Sequence, residues 1–409
     1  MKINLIAETH EVKEKNGRKL FVKKLDKKDA LEDMCGKYAG VCYMKNTYDD
    51  LRNEPREKTL ARIAQTKNNG HHSVYDHVFV TLELEGISKA LAITLNNQGW
   101  YNTSEKSGRY TQLPLSEEQQ VIYNKWLEIL TKKISDKYSE KYPKFFTKNK
   151  CLKLAQENAR ALNSVYGRGI IMVHTVSYRQ LNYLHGYFKY ELEKSEHTRF
   201  FEKLLPEMQE FCLELEKLPY FDEVLSNHGK MMASFKVSGL TLINNFCKVK
   251  DHFDSTIYAT SYKASLAEFA QAQRHRTLDY TIEDLPKNPE YYIPQIIRDE
   301  PKLVKEWLAD MKKNAEDVPI GTIVTINETG TLQHFMLKLY ERKCTCAQLE
   351  INTITDMVLN KYYKALKEQK SPMAKELAKF LKGSRCTFPG YVCTQPCGFA
   401  EGIKGTRLI

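Results

Sequence analysis

Apolar and polar positions along this chain change period several times, and the changes mark out alternating strands and helices. Ile3 to Ile6 reads as a first strand. Leu51 to Lys67 carries apolar residues at helical spacing (Leu51, Leu60, Ile63) until Asn68-Asn69-Gly70 supplies a stop. Val78 to Leu84 reads as a strand, residues 87 to 96, 119 to 142 and 151 to 166 as helices, and Glu196 to Lys217 as one long amphipathic helix. After Pro219 and the polar stretch around Asn227-His228-Gly229 a second cycle begins. It runs through a helix at 261 to 275, a helix at 301 to 314, a buried β-type run at Ile320 to Ile326 and a long helix at Gln348 to Glu368. The order of elements repeats although the residues differ. The pattern predicts an α/β (α+β) fold of two modules, each a mixed or antiparallel sheet with long flanking helices. The modules are expected at residues 1–228 and 229–380, with the boundary near 225 to 235, followed by a Cys-rich tail at 381–409.

Composition agrees with two domains: the 409 residues are 42% hydrophobic and 28% charged, enough to bury a sizeable core. The formal net charge of +11 favours anionic partners, and a small phosphate-bearing substrate needs a positive cleft as much as a nucleic acid does. The lysines are spread over Lys13 to Lys28, Lys132 to Lys153 and Lys361 to Lys382. No RNA- or DNA-reading motif accompanies them, so no nucleic-acid partner is expected. The start, Met1-Lys2-Ile3-Asn4-Leu5-Ile6, turns polar by Glu8 and has no signal-peptide core, and no apolar run approaches a bilayer span. A soluble, cytoplasmic protein without a membrane partner is expected, with its ten cysteines as reduced thiols.

Three local clusters carry candidate chemistry. Gly70-His71-His72-Ser73-Val74-Tyr75-Asp76-His77 is a glycine turn followed by three histidines, a serine and an aspartate. Its spacing lacks the one-turn histidine pair of a helical zinc motif, and a ligand-binding loop feeding a strand fits better than a metal site; a plain hydrogen-bonded turn is the alternative. In Tyr101 to Tyr110, the run Ser107-Gly108-Arg109-Tyr110 offers a hydroxyl, approachable backbone N–H groups and a guanidinium, which together fit a phosphate. Gln271-Ala272-Gln273-Arg274-His275-Arg276 concentrates positive charge at a helix C-terminus, where the dipole already favours cations. Helix-end capping is the alternative reading there.

Taken together these residues resemble the flavin-dependent thymidylate synthase family, which carries a Gly-His-x-Ser/Thr-x-x-Glu-His loop, a helix ending Arg-His-Arg, then seven residues and Ser-x-Arg-Tyr. Gly70 to His77 resembles the loop, with Asp76 in place of Glu, and Ser107 to Tyr110 resembles the last element. Between them Asn96-Asn97-Gln98 stands where Arg-His-Arg belongs. The back half is the mirror case: Gln271 to Arg276 is similar to Gln-x-x-Arg-His-Arg, whereas Thr277 to Pro294 lacks Ser-x-Arg-Tyr. Tyr291-Tyr292-Ile293-Pro294 is similar to the segment that follows that motif, and Arg342 with Ala347-Gln348-Leu349-Glu350-Ile351 resembles the nucleotide-binding arginine and its helix. Ala159-Arg160 resembles a further substrate arginine, and Ser177-Tyr178-Arg179-Gln180-Leu181-Asn182 a flavin-contacting stretch that has decayed to Glu328-Thr329-Gly330 in the back half.

The resemblance implies a diverged tandem duplication whose halves each keep one wall of a shared site, and a pseudo-dimeric chain that pairs into a homodimer mimicking the family's tetramer. The dUMP site it implies comprises Ser107, Gly108, Arg109, Tyr110 and Arg160 from the front and Gln271, Arg274 and Arg342 from the back, with Arg274 and Arg342 as the catalytic pair that polarises the uracil carbonyls. Ser107 reads as a phosphate ligand rather than a nucleophile, because the motif fixes no base beside it. FAD contacts are implied for His71, Ser73, Arg179, Asn182, His275 and Arg276, with NADPH as reductant and methylenetetrahydrofolate as carbon donor. The implied reaction is reductive methylation of dUMP to dTMP. A pyrimidine nucleotide hydroxymethylase and a non-catalytic nucleotide-binding module stay open beside it.

The tail departs from the family. Cys344-x-Cys346 and Cys386, Cys393 and Cys397 place five thiols near the end of the chain, with Pro389-Gly390 and Pro396 keeping it in turns. Their spacing matches no common zinc finger and no metal is expected. Reduced cysteines in a docked tail, a zinc site and a redox role beside Arg342 are the three readings.

Overall fold

A computed structural model describes residues 1–15, 18–21, 27–109, 111, 114–236, 241–245, 248–394, 397 and 407–409. It divides into two compact units, each drawing on two stretches of chain. The first joins Met1–Lys106 to Arg168–Lys236, the second Ser107–Gly167 to Val237–Ile409. The division therefore differs from a cut at 228/229. That position lies inside the helix Glu223–Ser234, whose residue Gly229 is a packing contact rather than a linker.

In the first unit, strands β1 (Lys2–Glu8), β4 (Phe79–Ser88), β5 (Tyr101–Glu105) and β6 (Arg168–Ser177) form an antiparallel sheet in the order β1-β4-β6-β5, and β2 (Val12–Lys15) and β3 (Arg18–Phe21) make a separate hairpin. Alternation decides the faces: Val80, Leu82 and Leu84 of β4 are buried opposite Val176, His174 and Met172 of β6. Gly86, at φ 71°, takes up the register shift beyond Glu85, a left-handed conformation that side-chain-bearing residues resist. Each chain reversal into a helix is capped. Ser88 accepts from the Leu91 amide at the start of Lys89–Leu95, and Ser177 from the Gln180 amide at the start of Tyr178–Glu193. The last helix crosses Glu223–Ser234 at glycine. A Cβ on Gly186 would lie 2.5 Å from the Lys230 amide nitrogen, and one on Gly229 2.6 Å from Tyr183 Cα.

In the second unit, β7 (His252–Phe253), β8 (Ile257–Ser265), β9 (Asp279–Ile282) and β10 (Ile323–Thr331) pair in the order β7-β8-β10-β9, again antiparallel. Both sheets thus have their strands in the sequential order first, second, fourth, third. The second strand of each runs into a seven-residue helix capped by serine (Ser88, Ser265), and the fourth into a longer one capped by Ser177 or Thr331. The helices Glu117–Tyr138 and Lys148–Ala159 pack on Tyr291 to Ile297 and on Pro301–Lys313, around the edge-to-face pair Trp126 and Trp307 at 4.9 Å. Both indole N–H groups are satisfied, Trp126 by Asp310 at 2.9 Å and Trp307 by the Tyr292 carbonyl at 2.8 Å. Leu349–Glu368 buries Ile351, Thr355, Val358, Leu359, Tyr362 and Leu366, one helical stripe.

Several elements differ from the sequence expectation. The helix expected at 261 to 275 is strand β8 followed by Leu266–Ala272, because Tyr258, Thr260, Tyr262 and Ala264 alternate inward. The single helix expected over 196 to 217 is two, Arg199–Glu202 and Leu205–Glu216, with Pro206 in the first turn of the second; that over 51 to 67 is Tyr48–Arg52 and Arg56–Asn68, parted at Pro55. The helix expected at 151 to 166 spans Lys148–Ala159 and ends in a short 3₁₀ turn to Leu162. No helix among the described residues is long and apolar enough to cross a membrane.

Candidate functional site

In the second unit a cationic cluster forms around one buried carboxylate. The Ser107 carbonyl accepts from the Thr111 amide at 3.1 Å and its hydroxyl oxygen from the Arg109 amide at 3.3 Å, closing a turn. That turn delivers the Arg109 guanidinium to Glu157, where Nε donates to Oε2 at 2.5 Å, while Nη2 donates to the Cys346 carbonyl at 2.8 Å. Arg407 donates to the other Glu157 oxygen and, at 2.8 Å, to the Thr345 carbonyl. Burial pushes the Glu157 carboxyl upward, but the guanidiniums of Arg407, Arg109 and Arg160 outweigh it and hold it below its ordinary value. Three guanidiniums facing one carboxylate leave the cluster cationic, which suits a phosphate.

Arg160 follows Glu157 by one helical turn and donates through Nη2 to Gln348 Oε1 at 2.6 Å; Gln271 donates to the same oxygen. Among the described residues, the buried Arg160 Nε and Gln271 Oε1 have no hydrogen-bond partner, the condition a polar ligand relieves. Arg342, in the last turn of Leu332–Arg342, donates through Nε to His275 Nε2 at 2.6 Å and through Nη2 to the Gln271 carbonyl at 3.2 Å. His275 is therefore the neutral acceptor, and burial, Arg342 and Lys338 push its pKa down to about 2. Arg274, the residue before His275, is half-buried, and its amide donates to the Gln271 carbonyl at 3.3 Å. Glu350 accepts from the Ser265 amide at 2.8 Å and hydroxyl at 2.6 Å, which ties Leu349–Glu368 to the start of the Gln271 helix. A cleft of about 650 Å³ in the same unit, large enough for a mononucleotide, is lined by Lys137, Lys263, Tyr291, Arg298, Glu350 and Arg407.

The structure thus brings Ser107, Gly108, Arg109 and Arg160 into one unit with Gln271, Arg274 and Arg342, while Tyr110 lies outside the described residues. Of the residues assigned to flavin, His275 and Arg276 also belong to this unit. His275 is spent on Arg342 and Arg276 is exposed.

His71, Ser73, Arg179 and Asn182 belong to the first unit. The helix Arg56–Asn68 ends at Gly70 (φ 74°) with two C-terminal bonds, Gly70 amide to Lys67 carbonyl and His71 amide to Thr66 carbonyl at 2.9 Å, which turn the chain into the short 3₁₀ helix His72–Asp76. Asp76 clasps the helix Tyr178–Glu193 by its first turn, accepting from the Ser177 hydroxyl and from Arg179 Nη1, each at 2.7 Å. The Arg179 guanidinium lies 4.9 Å over the Tyr183 ring. His72 is buried with both nitrogens bonded, to Tyr183 Oη and to the Lys67 carbonyl at 2.8 Å each, and so is structural, whereas His71 and Ser73 are exposed. Asn182 is fully buried. Its amide donates to the Tyr178 and Tyr220 carbonyls and its carbonyl accepts from the Asp222 amide, which gives it a stapling role instead of a ligand face.

Glu157 and Arg407 were not singled out by sequence reasoning. Glu157 stands three residues before Arg160, a spacing that puts the two on one helix face, whereas no local pattern links Arg407 to it. Among the described residues no group of three or more His, Cys, Asp or Glu side chains is placed to hold a metal ion.

Residues 25–212 match the family model of the thymidylate synthase complementing proteins. No curated protein sequence matches the chain. Among solved structures it is similar to thymidylate synthase X from Helicobacter pylori with FAD and dUMP (14% identity over 57% of this chain and 99% of that one, TM-score 0.31). A second structure of that enzyme gives 15% identity over 54% and 94%, TM-score 0.30. The UMP/dUMP methylase PolB from Streptomyces cacaoi, bound with 5-Br dUMP, gives 13% over 56% and 94%, TM-score 0.32.

Proposed function

We propose that the chain is a flavin-dependent thymidylate synthase that methylates dUMP at C5, its nucleotide site built from both halves of one chain. The observation that carries this reading is the meeting of Arg109 and Arg160 with Gln271 and Arg342 around Glu157 and Gln348 in the second unit. The shared strand order of the two sheets supports descent from a tandem duplication, and with it a homodimer of pseudo-dimers in place of a tetramer.

On this reading the Ser107 hydroxyl, the Gly108 amide and Arg109 bind the phosphate and Arg160 adds charge. Arg274 and Arg342 donate to the uracil carbonyls, drawing electron density so that C5 accepts a one-carbon unit. His275 fixes Arg342 in place by accepting from its Nε, and the Gln271 carbonyl accepts from Nη2, which leaves Nη1 for the base. The donor set of the first unit suits FAD: Arg179 is a cation beside the Tyr183 face, and His71 and Ser73 are exposed hydrogen-bonding groups. Bound reduced flavin would supply the hydride, NADPH the reducing equivalents and methylenetetrahydrofolate the carbon.

The purified chain should show a flavin absorption band, or gain one with added FAD, and convert dUMP with methylenetetrahydrofolate and NADPH to a product of thymidylate mass. A preparation that neither binds FAD nor alters dUMP overturns the proposal. A hydroxymethyl nucleotide as product would move the chain to the hydroxymethylase reading.

A further inference from the structure

Beside the arginine cluster, the turn after Leu332–Arg342 holds two thiols that the proposed reaction does not use. The Cys344 carbonyl accepts from the Ala347 amide at 2.9 Å, so Cys344-Thr345-Cys346-Ala347 is a β-turn with the cysteines at its first and third positions. Thr345 between them is buried, its carbonyl held by Arg407 and its hydroxyl 3.1 Å from Cys397 Sγ. Arg385 is brought up by its amide, which donates to the Lys343 carbonyl at 3.0 Å, and its Nη2 donates to Cys344 Sγ at 3.6 Å. Cys346 is exposed and Cys344 partly so, whereas Cys35, Cys151 and Cys212 are buried. The Cys346 thiol, with the Cys346 amide and Arg385, outweighs burial and holds the Cys344 thiol well below its ordinary value.

From this juxtaposition we propose that Cys344 and Cys346 form a dithiol–disulfide centre, with Cys344 as nucleophile, Cys346 as resolving thiol and a low-molecular-weight disulfide as oxidant. The Cys344 thiolate attacks one sulfur of the oxidant RS–SR, forming a mixed disulfide and expelling RS⁻. The Cys346 sulfur, giving its proton to that thiolate, then attacks Cys344 Sγ. The Cys344–Cys346 bond forms and the second RS⁻ leaves. Two protein sulfurs are oxidised, and RS–SR is reduced to one thiol and one thiolate. The closed ring reshapes the turn whose Cys346 carbonyl accepts from Arg109, so oxidation weakens anion binding; this last step rests on the nucleotide reading above.

The test uses the full chain equilibrated in reduced and oxidised glutathione, alkylated and digested with trypsin. Cleavage after Lys343 and Lys361 leaves both cysteines on one peptide, 344–361. In oxidising buffer that peptide should appear unalkylated and lighter by two hydrogens than the free dithiol. A peptide still doubly alkylated when exposed Cys42 has reacted, or either cysteine joined elsewhere, overturns the assignment. Arg385→Ala should slow alkylation of Cys344 at pH 5.5 roughly tenfold and Arg385→Lys should retain most of the rate; an unchanged rate in Arg385→Ala removes the arginine from the centre. Oxidised chain should bind dUMP several-fold more weakly than reduced chain, and equal affinities refute the coupling. If the reduced chain binds no dUMP, the nucleotide reading fails while the peptide map still decides the dithiol centre.

Discussion

Glu157→Gln keeps the shape of the side chain on which Arg109, Arg160 and Arg407 converge and removes its charge. Glu157 and Arg407 side chains are 6% and 4% exposed and that of Arg109 16%, so the cluster is shielded from water. Removing one partner of a buried ion pair costs about 3–5 kcal/mol. The amide can still accept one hydrogen bond and Arg109 keeps the Cys346 carbonyl, which argues for the lower end, about 3 kcal/mol. For a unit of this size each kcal/mol moves Tm by roughly 2–4 °C, so the second unit should melt about 6–12 °C lower. Differential scanning calorimetry at neutral pH, with the fluorescence of buried Trp126 and Trp307 reporting that unit, measures the shift. The sign with pH follows from the lowered carboxyl. Its contribution is full above the ordinary carboxylate pKa and is lost as pH falls through the lowered value, so native and variant should converge in acid. A Tm change under about 2 °C at neutral pH, or a gap that widens in acid, refutes Glu157 as the counter-ion of the cluster.

Other perturbations test the scaffold and its buried charges. Gly186→Ala drives a Cβ into the backbone of Glu223–Ser234 and should destabilise the first unit by about 3 kcal/mol in chemical denaturation. Lys338→Met strands the Glu328 carboxylate, which also accepts from Tyr258 at 2.5 Å and Tyr262 at 2.8 Å. The expected loss is about 3–5 kcal/mol, largely recovered in the double variant with Glu328→Gln. Glu268 is fully buried with neither oxygen hydrogen-bonded among the described residues, and burial raises its pKa to about 8. A raised carboxyl favours the protonated fold, so stability should fall by up to about 1.4 kcal/mol per unit as pH rises from its unfolded value towards 8. Glu268→Gln should flatten that slope in urea titrations at pH 5, 6.5 and 8, and a slope equal to the native one would count against the buried neutral acid.

Periodicity made the long elements legible: Glu117–Tyr138, Pro301–Lys313 and Leu349–Glu368 stand close to where apolar spacing puts them. It failed where strand and helix abut without a break. At Ser265 and Ser177 a single capping serine switches the period from two to 3.6, so β8 merged into one long helix and β6 with Tyr178–Glu193 went unseen. The residues that the structure places together in the second unit, Arg109, Arg160, Gln271 and Arg342, were visible in the motifs. Their counter-ion was not: Glu157 has no sequence neighbour that marks it as buried, and Arg407 reaches it from across the chain. Asn182 is the opposite case, a motif position read as a ligand contact that makes three hydrogen bonds to the backbone.

The central claim is that residues from both halves of one chain make one nucleotide site. Isothermal titration of dUMP into the native chain, into Arg109→Ala, into Arg342→Ala and into an equal mixture of the two variants tests it most directly. The account predicts binding by the native chain, a loss of roughly tenfold or more in each variant, since a hydrogen bond to a charged group is worth about 1.5–3 kcal/mol, and no tight site in the mixture. Recovery of native-affinity sites in the mixture, or variants that bind dUMP as well as the native chain, would contradict it.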